Sequence, residues 1–123
     1  GKLAMKKLLL IILFVVSAVL MYGAAKEEIA FDDRLGRTRY PVELDFKGTP
    51  LSDALSIISK TSNITIVASS TIANLPIDLY LPKWQTLKRV IDTIKSTNGL
   101  TSKVVNDTMI LSKDIETKNV NLQ

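Results

Sequence analysis

The 123-residue chain contains no cysteine and no histidine. Without cysteine there is no disulfide framework, no thiolate nucleophile and no lipid-modified cysteine at an export cleavage site. Without histidine, the commonest general base and the commonest metal ligand are missing together. Glycine is scarce as well: Gly1, Gly23, Gly36, Gly48 and Gly99 all stand alone, so no glycine-rich phosphate loop can form. Trp84 is the single tryptophan. It could serve as a binding hot spot, but it stands at the head of an apolar helical stripe, where core or rim packing is the expected role.

The remaining reactive groups form no catalytic pattern. Glu27-Glu28 and Asp32-Asp33 lie in a charged run and read as solvated. Glu43 and Asp45 are two apart on a strand pattern and share its outward face with Lys47. Carboxylate pairs do acid–base work only when burial splits their pKa values, so an ordinary charged strand is expected there. A nucleophilic serine would need a lysine base, and Ser56, Ser59 and Lys60 show no recognisable spacing for one. Asn63-Ile64-Thr65 and Asn106-Asp107-Thr108 match the glycosylation sequon, but turn geometry accounts for both asparagines. The expectation is no enzyme, no cofactor, no metal and no small-molecule substrate.

What the chain does have is one long apolar run, Leu8 to Met21, preceded by Lys6-Lys7 and followed by Tyr22-Gly23-Ala24-Ala25. A charged start, an apolar centre and a small-residue exit describe a secretory signal peptide over residues 5–25, cleaved after Ala25. An uncleaved anchor is the alternative, although 18 residues from Leu8 to Ala25 is short for a span. Gly1 to Ala4 precede Met5 and read as a cloning scar. Removing residues 1–25 takes Lys2, Lys6 and Lys7, so 16 basic residues fall to 13 against 12 acidic ones. The net charge of +4 is thus mostly a property of the targeting segment and is weak support for nucleic-acid binding.

Residues 26–40 carry eight charges in 15 positions without a sustained period and read as an exposed lead-in that could hold a short extra strand. Order is expected from Pro41. Val42, Leu44 and Phe46 alternate with Glu43, Asp45 and Lys47, a half-buried strand that Gly48 ends. Thr49 is a candidate helix cap with Pro50 at the first helical position. Leu51, Ala54, Leu55 and Ile58 then define one helical face, Asn63 a left-handed cap, and Ile64 to Ala68 a second strand. After a connection over Ser69–Pro76, Ile77, Leu79 and Leu81 alternate as a third strand that Pro82 stops. Trp84, Leu87, Val90, Ile91 and Ile94 share a second helical face, closed by Asn98-Gly99. Leu100–Val105 and Thr108–Lys113 read as a hairpin around Asn106-Asp107. Residues 114–123 read as a tail or linker.

The helix, left-handed cap and following strand recur at an offset of 36: Leu51, Leu55, Ile58 and Asn63 match Leu87, Ile91, Ile94 and Gly99. Each element has one apolar face to bury. The expected fold is therefore a two-layer α+β domain over residues 41–113, with two helices packed on small mixed sheets.

Three stretches carry a resemblance: Val42 to Gly48, Pro50 to Leu55 with Asn63 to Val67, and Leu81 to Leu87 with Asn98-Gly99-Leu100. Together they resemble the N-terminal domain of bacterial secretins and the related STN domain of TonB-dependent receptors. Trp84 matches a tryptophan often seen in the pilus-type secretins. Asn63 stands where the family usually has glycine, and Ser69–Pro76 lacks the usual glycine-containing turn. The resemblance implies a periplasmic or outer-membrane-associated protein–protein interaction domain of type II secretion or type IV pilus machinery. Its partners would be inner-membrane assembly components, cargo, or neighbouring copies in a ring. Strand addition at an edge carrying Glu43, Asp45 and Lys47 is the expected mode. Two alternatives remain at this point. One is a signalling domain of a TonB-dependent receptor that contacts an anti-sigma regulator. The other is a nucleic-acid-binding α+β module, for which neither a basic face nor a GxxG loop is visible.

Overall fold

The computed structural model describes residue 23 and residues 25–114. The expected signal peptide, apart from Gly23 and Ala25, and the expected tail from residue 115 lie outside the described residues. Among those described, no helix is long and apolar enough to cross a membrane.

Residues 25–37 are helical (α1). Then follow β1 (Leu44–Pro50), α2 (Leu51–Ser62), β2 (Ile66–Ala68), a 3-10 turn (Ser70–Ile72), β3 (Pro76–Leu81), α3 (Leu87–Asn98), β4 (Leu100–Val105) and β5 (Thr108–Lys113). β1 pairs antiparallel with β3. In the second sheet the order is β2-β5-β4, with β2 parallel and β4 antiparallel to β5. α2 lies against β1, β2 and β3, and α3 lies against β3 and β4. This is the α+β architecture that the apolar patterning implies.

The two helices bury the expected faces. Leu51, Ala54, Leu55 and Ile58 of α2 and Leu87, Val90, Ile91 and Ile94 of α3 are each at most 1% exposed. Both helices end in a left-handed cap: Asn63 (φ 58°) donates its N–H to the Ser59 carbonyl, and Gly99 (φ 63°) to that of Lys95. The 36-residue offset thus holds for helix and cap; the strand expected over Ile64–Ala68 is confined to Ile66–Ala68, whereas its counterpart β4 starts directly at Leu100. The β4–β5 hairpin turns on Asn106 and Asp107 at φ 51° and 58°, the double positive pair a two-residue turn needs.

Four expectations are corrected. First, residues 26–40 are not an exposed lead-in. Phe31, Leu35 and Tyr40 are 3%, 2% and 1% exposed and belong to the same core as α2 and α3. Second, Val42 does not join the first strand; it sits in a bend and is 52% exposed. Third, Gly48 does not end that strand. With φ 64° it carries a bulge between Phe46 and Thr49, its N–H donates to Asp78 Oδ1 at 2.7 Å, and β1 runs on to Pro50. Fourth, Thr49 is not the cap of α2. Pro50 occupies that position without a side-chain bond, and the first N–H groups donate to Leu75 and Ala73 carbonyls instead.

Candidate interaction surface

The three charged residues read from the strand pattern are all exposed on the β1 side of the two-stranded sheet. Glu43 immediately precedes β1, while Asp45 and Lys47 lie on it and reach each other at 3.9 Å. Both groups are well solvated, so this pair adds little stability.

Strand pairing brings in a fourth residue. Asp45 stands directly across from Tyr80 of β3, and the Tyr80 hydroxyl donates to Glu43 Oε2 at 3.2 Å. Two carboxylates therefore surround one phenol. The Glu43 charge first, then the hydrogen bond to it, raise the Tyr80 pKa above its ordinary value, with burial and Asp45 adding smaller effects. Tyr80 is 61% exposed and offers a large amphipathic ring to solvent.

Trp84 follows β3 in the turn into α3. It is not part of the helical stripe: α3 begins at Leu87, and Trp84 is 56% exposed at φ 71°. A bulky residue at positive φ is strained. The conformation is held at both ends. The Trp84 N–H donates to the Tyr40 carbonyl at 2.7 Å, and its own carbonyl accepts from Arg39 Nη1 at 3.0 Å. Tyr40 also donates to Gln85, and Leu87 to Thr38, which ties residues 38–40 to the start of α3. Thr86 completes the helix start by capping Arg89 N–H.

Tyr80, Trp84 and Val42 are thus exposed, as are Glu43, Asp45 and Lys47, and contacts join Tyr80 to Glu43 and Asp45 to Lys47. Large exposed rings beside charges suit protein recognition, where tyrosine and tryptophan dominate binding energies. Among the described residues β1 has only β3 as a strand neighbour, so its other edge is unpaired within the sheet. Tyr80 escaped sequence reading because its link to Glu43 depends on the β1–β3 register. Trp84 was visible, but its φ was not. Among the described residues no group of three or more histidine, cysteine, aspartate or glutamate side chains could hold a metal ion.

No protein-family model matches the chain, and no curated protein matches it either. The fold does match solved structures. Two crystal structures of a "putative anti-sigma factor" from Parabacteroides distasonis superpose with TM-scores of 0.51 and 0.52 at 21% identity. The match covers 58% of this chain and 33% or 34% of theirs, so it spans about a third of those proteins. At that identity the likeness establishes a shared fold.

Proposed function

We propose that this chain is an exported protein–protein interaction domain of the secretin N-terminal type. In this reading it acts in the periplasm or at the outer membrane, within a type II secretion or type IV pilus system. It holds inner-membrane components, cargo or neighbouring copies, and it is not an enzyme. The observation that carries the binding role is Trp84: an exposed indole kept on strained backbone by two hydrogen bonds. Strain of this kind persists where the surrounding structure enforces it, and such positions cluster at recognition sites. Tyr80, Glu43, Asp45 and Lys47 extend the surface, and the β1 edge offers main-chain groups to a partner strand.

A second reading is the signalling domain of a TonB-dependent receptor that contacts an anti-sigma regulator. The fold likeness to structures named for an anti-sigma factor favours keeping it. The gene beyond Gln123 separates the two. A further small α/β domain supports the secretin, a plug and barrel support the receptor, and a stop codon supports a free-standing adaptor. The binding surface has its own test. Reversing the charges of Glu43, Asp45 and Lys47 together should abolish partner binding, and retained binding would remove this face from the proposal.

A further inference from the structure

Among the described residues, the β4 edge opposite β5 is also unpaired in its sheet. The hairpin register decides which backbone groups point there. Val105 faces Thr108 across the two-residue turn, and the Asp114 N–H donates to the Gly99 carbonyl at 3.1 Å. Hydrogen-bonded and non-bonded pairs alternate in an antiparallel ladder, so Gly99, Thr101, Lys103 and Val105 bond towards β5. The N–H and C=O groups of Ser102 and Val104 therefore point to the open edge.

A groove of about 370 Å³ runs there, lined by Ser102, Lys103 and Val104 in succession. Consecutive strand residues project to opposite faces, so a cavity touching three in a row follows the strand's rim. The floor is Leu35, Ile91 and Met109, all buried. The opposite wall is α1, with Glu28, Asp32 and Asp33. Lys88 neutralises Asp32 at 2.7 Å and also reaches Asp92 at 3.7 Å. Lys95 is turned to Ser102 Oγ at 2.8 Å. Glu28 and Asp33 enter no ion pair among the described residues, while Lys95 and Lys103 both keep their charges. The carboxylates of Glu28, Asp32, Asp33 and Asp92 therefore stand against the ammonium groups of Lys88, Lys95 and Lys103, a balance that is acidic by one charge.

We propose that this groove takes an extended, basic peptide segment of a partner protein as an added strand on β4. The backbone of the segment pairs with Ser102 and Val104, an apolar side chain rests over Leu35, Ile91 and Met109, and a lysine or arginine reaches Glu28 and Asp33. The geometry matches strand addition, in which main-chain bonds supply affinity and side-chain contacts supply specificity. The site is separate from the β1–β3 surface and stands or falls independently of it.

The test uses the isotope-labelled full chain and the peptide acetyl-Lys-Val-Lys-Val-Lys-Val-amide, followed by amide NMR. Saturable shifts at Ser102 and Val104 are expected, with slowed hydrogen exchange at both. Acetyl-Glu-Val-Glu-Val-Glu-Val-amide should bind at least about tenfold more weakly. The double variant Glu28→Lys, Asp33→Lys changes only exposed side chains and should reverse that preference. Three results would overturn the proposal: equal affinity for both peptides, shifts on α1 without slowed exchange at Ser102 and Val104, or protection of the edge that rises with protein concentration without peptide. The last would assign the edge to a second copy of the chain.

Discussion

The hydroxyl of Ser59 accepts from the N–H of Ile66 and donates to the carbonyl of the same residue, each at 3.0 Å. Thr65 and Ser69 bond towards β5, so Ile66 points the other way, to the outer edge of β2. A side chain of α2 thus occupies the place of a next strand. Native proteins close exposed edges by such devices. It explains why β2, though an edge, is less open to strand addition than β4.

Ser59→Ala should lower stability by about 1–3 kcal/mol, because it leaves both Ile66 groups without this partner. In urea unfolding the midpoint should fall with an unchanged slope. Exchange at the Ile66 amide should quicken more than at Leu111. An unchanged Ile66 exchange rate would mean that the hydroxyl does not close the edge.

Tyr80 should titrate above its ordinary value of 10.0, chiefly because Glu43 is beside it. The folded chain holds the phenol proton more tightly than the unfolded chain. The associated stability is therefore present below pH 10.0 and is lost as pH rises through the folded value. Glu43→Gln should move the phenol absorbance titration back towards 10.0. The same midpoint in both proteins would refute the Glu43 contact.

Trp84→Gly should separate stability from recognition. Glycine takes φ 71° without the penalty a side chain meets there, so the variant should gain about 1 kcal/mol. Partner binding should weaken in the same protein. A destabilised variant would mean that the indole packs more than its 56% exposure indicates.

Phe31→Ala should cost about 3 kcal/mol or more, the usual penalty for a buried aromatic. Phe31 is 3% exposed, and the Arg34 guanidinium stacks 5.1 Å from its ring centroid. A loss under about 0.5 kcal/mol, typical of surface positions, would return α1 to the status of a lead-in.

Regular periods made most of the domain legible in the sequence. The α2 and α3 faces, the β3 alternation, and the hairpin at Asn106-Asp107 each follow from local spacing. α1 did not, because its helix places only Phe31 and Leu35 in the core, too few for a period to emerge among charges. Its other anchors are long-range: Arg34 to Asp107 at 3.3 Å, Lys88 to Asp32, and Glu27 accepting from the Asp107 N–H at 2.8 Å. Val42 kept the period of β1 but not its pairing, since the chain bends there after Tyr40 docks on Gln85. At the candidate surface, Glu43, Asp45 and Lys47 were legible from alternation alone. Tyr80 required the register of a strand more than thirty residues away, and Trp84 required a backbone angle set by tertiary bonds.

The most direct test of the binding role is site-specific photo-crosslinking in the source organism. Tyr80→p-benzoylphenylalanine is compared with the same replacement at Ser96, an exposed position on α3. The account predicts a discrete protein adduct from position 80, lost when the charges of Glu43, Asp45 and Lys47 are reversed, and none from position 96. Adducts of equal yield from both positions, or none from position 80, would contradict it.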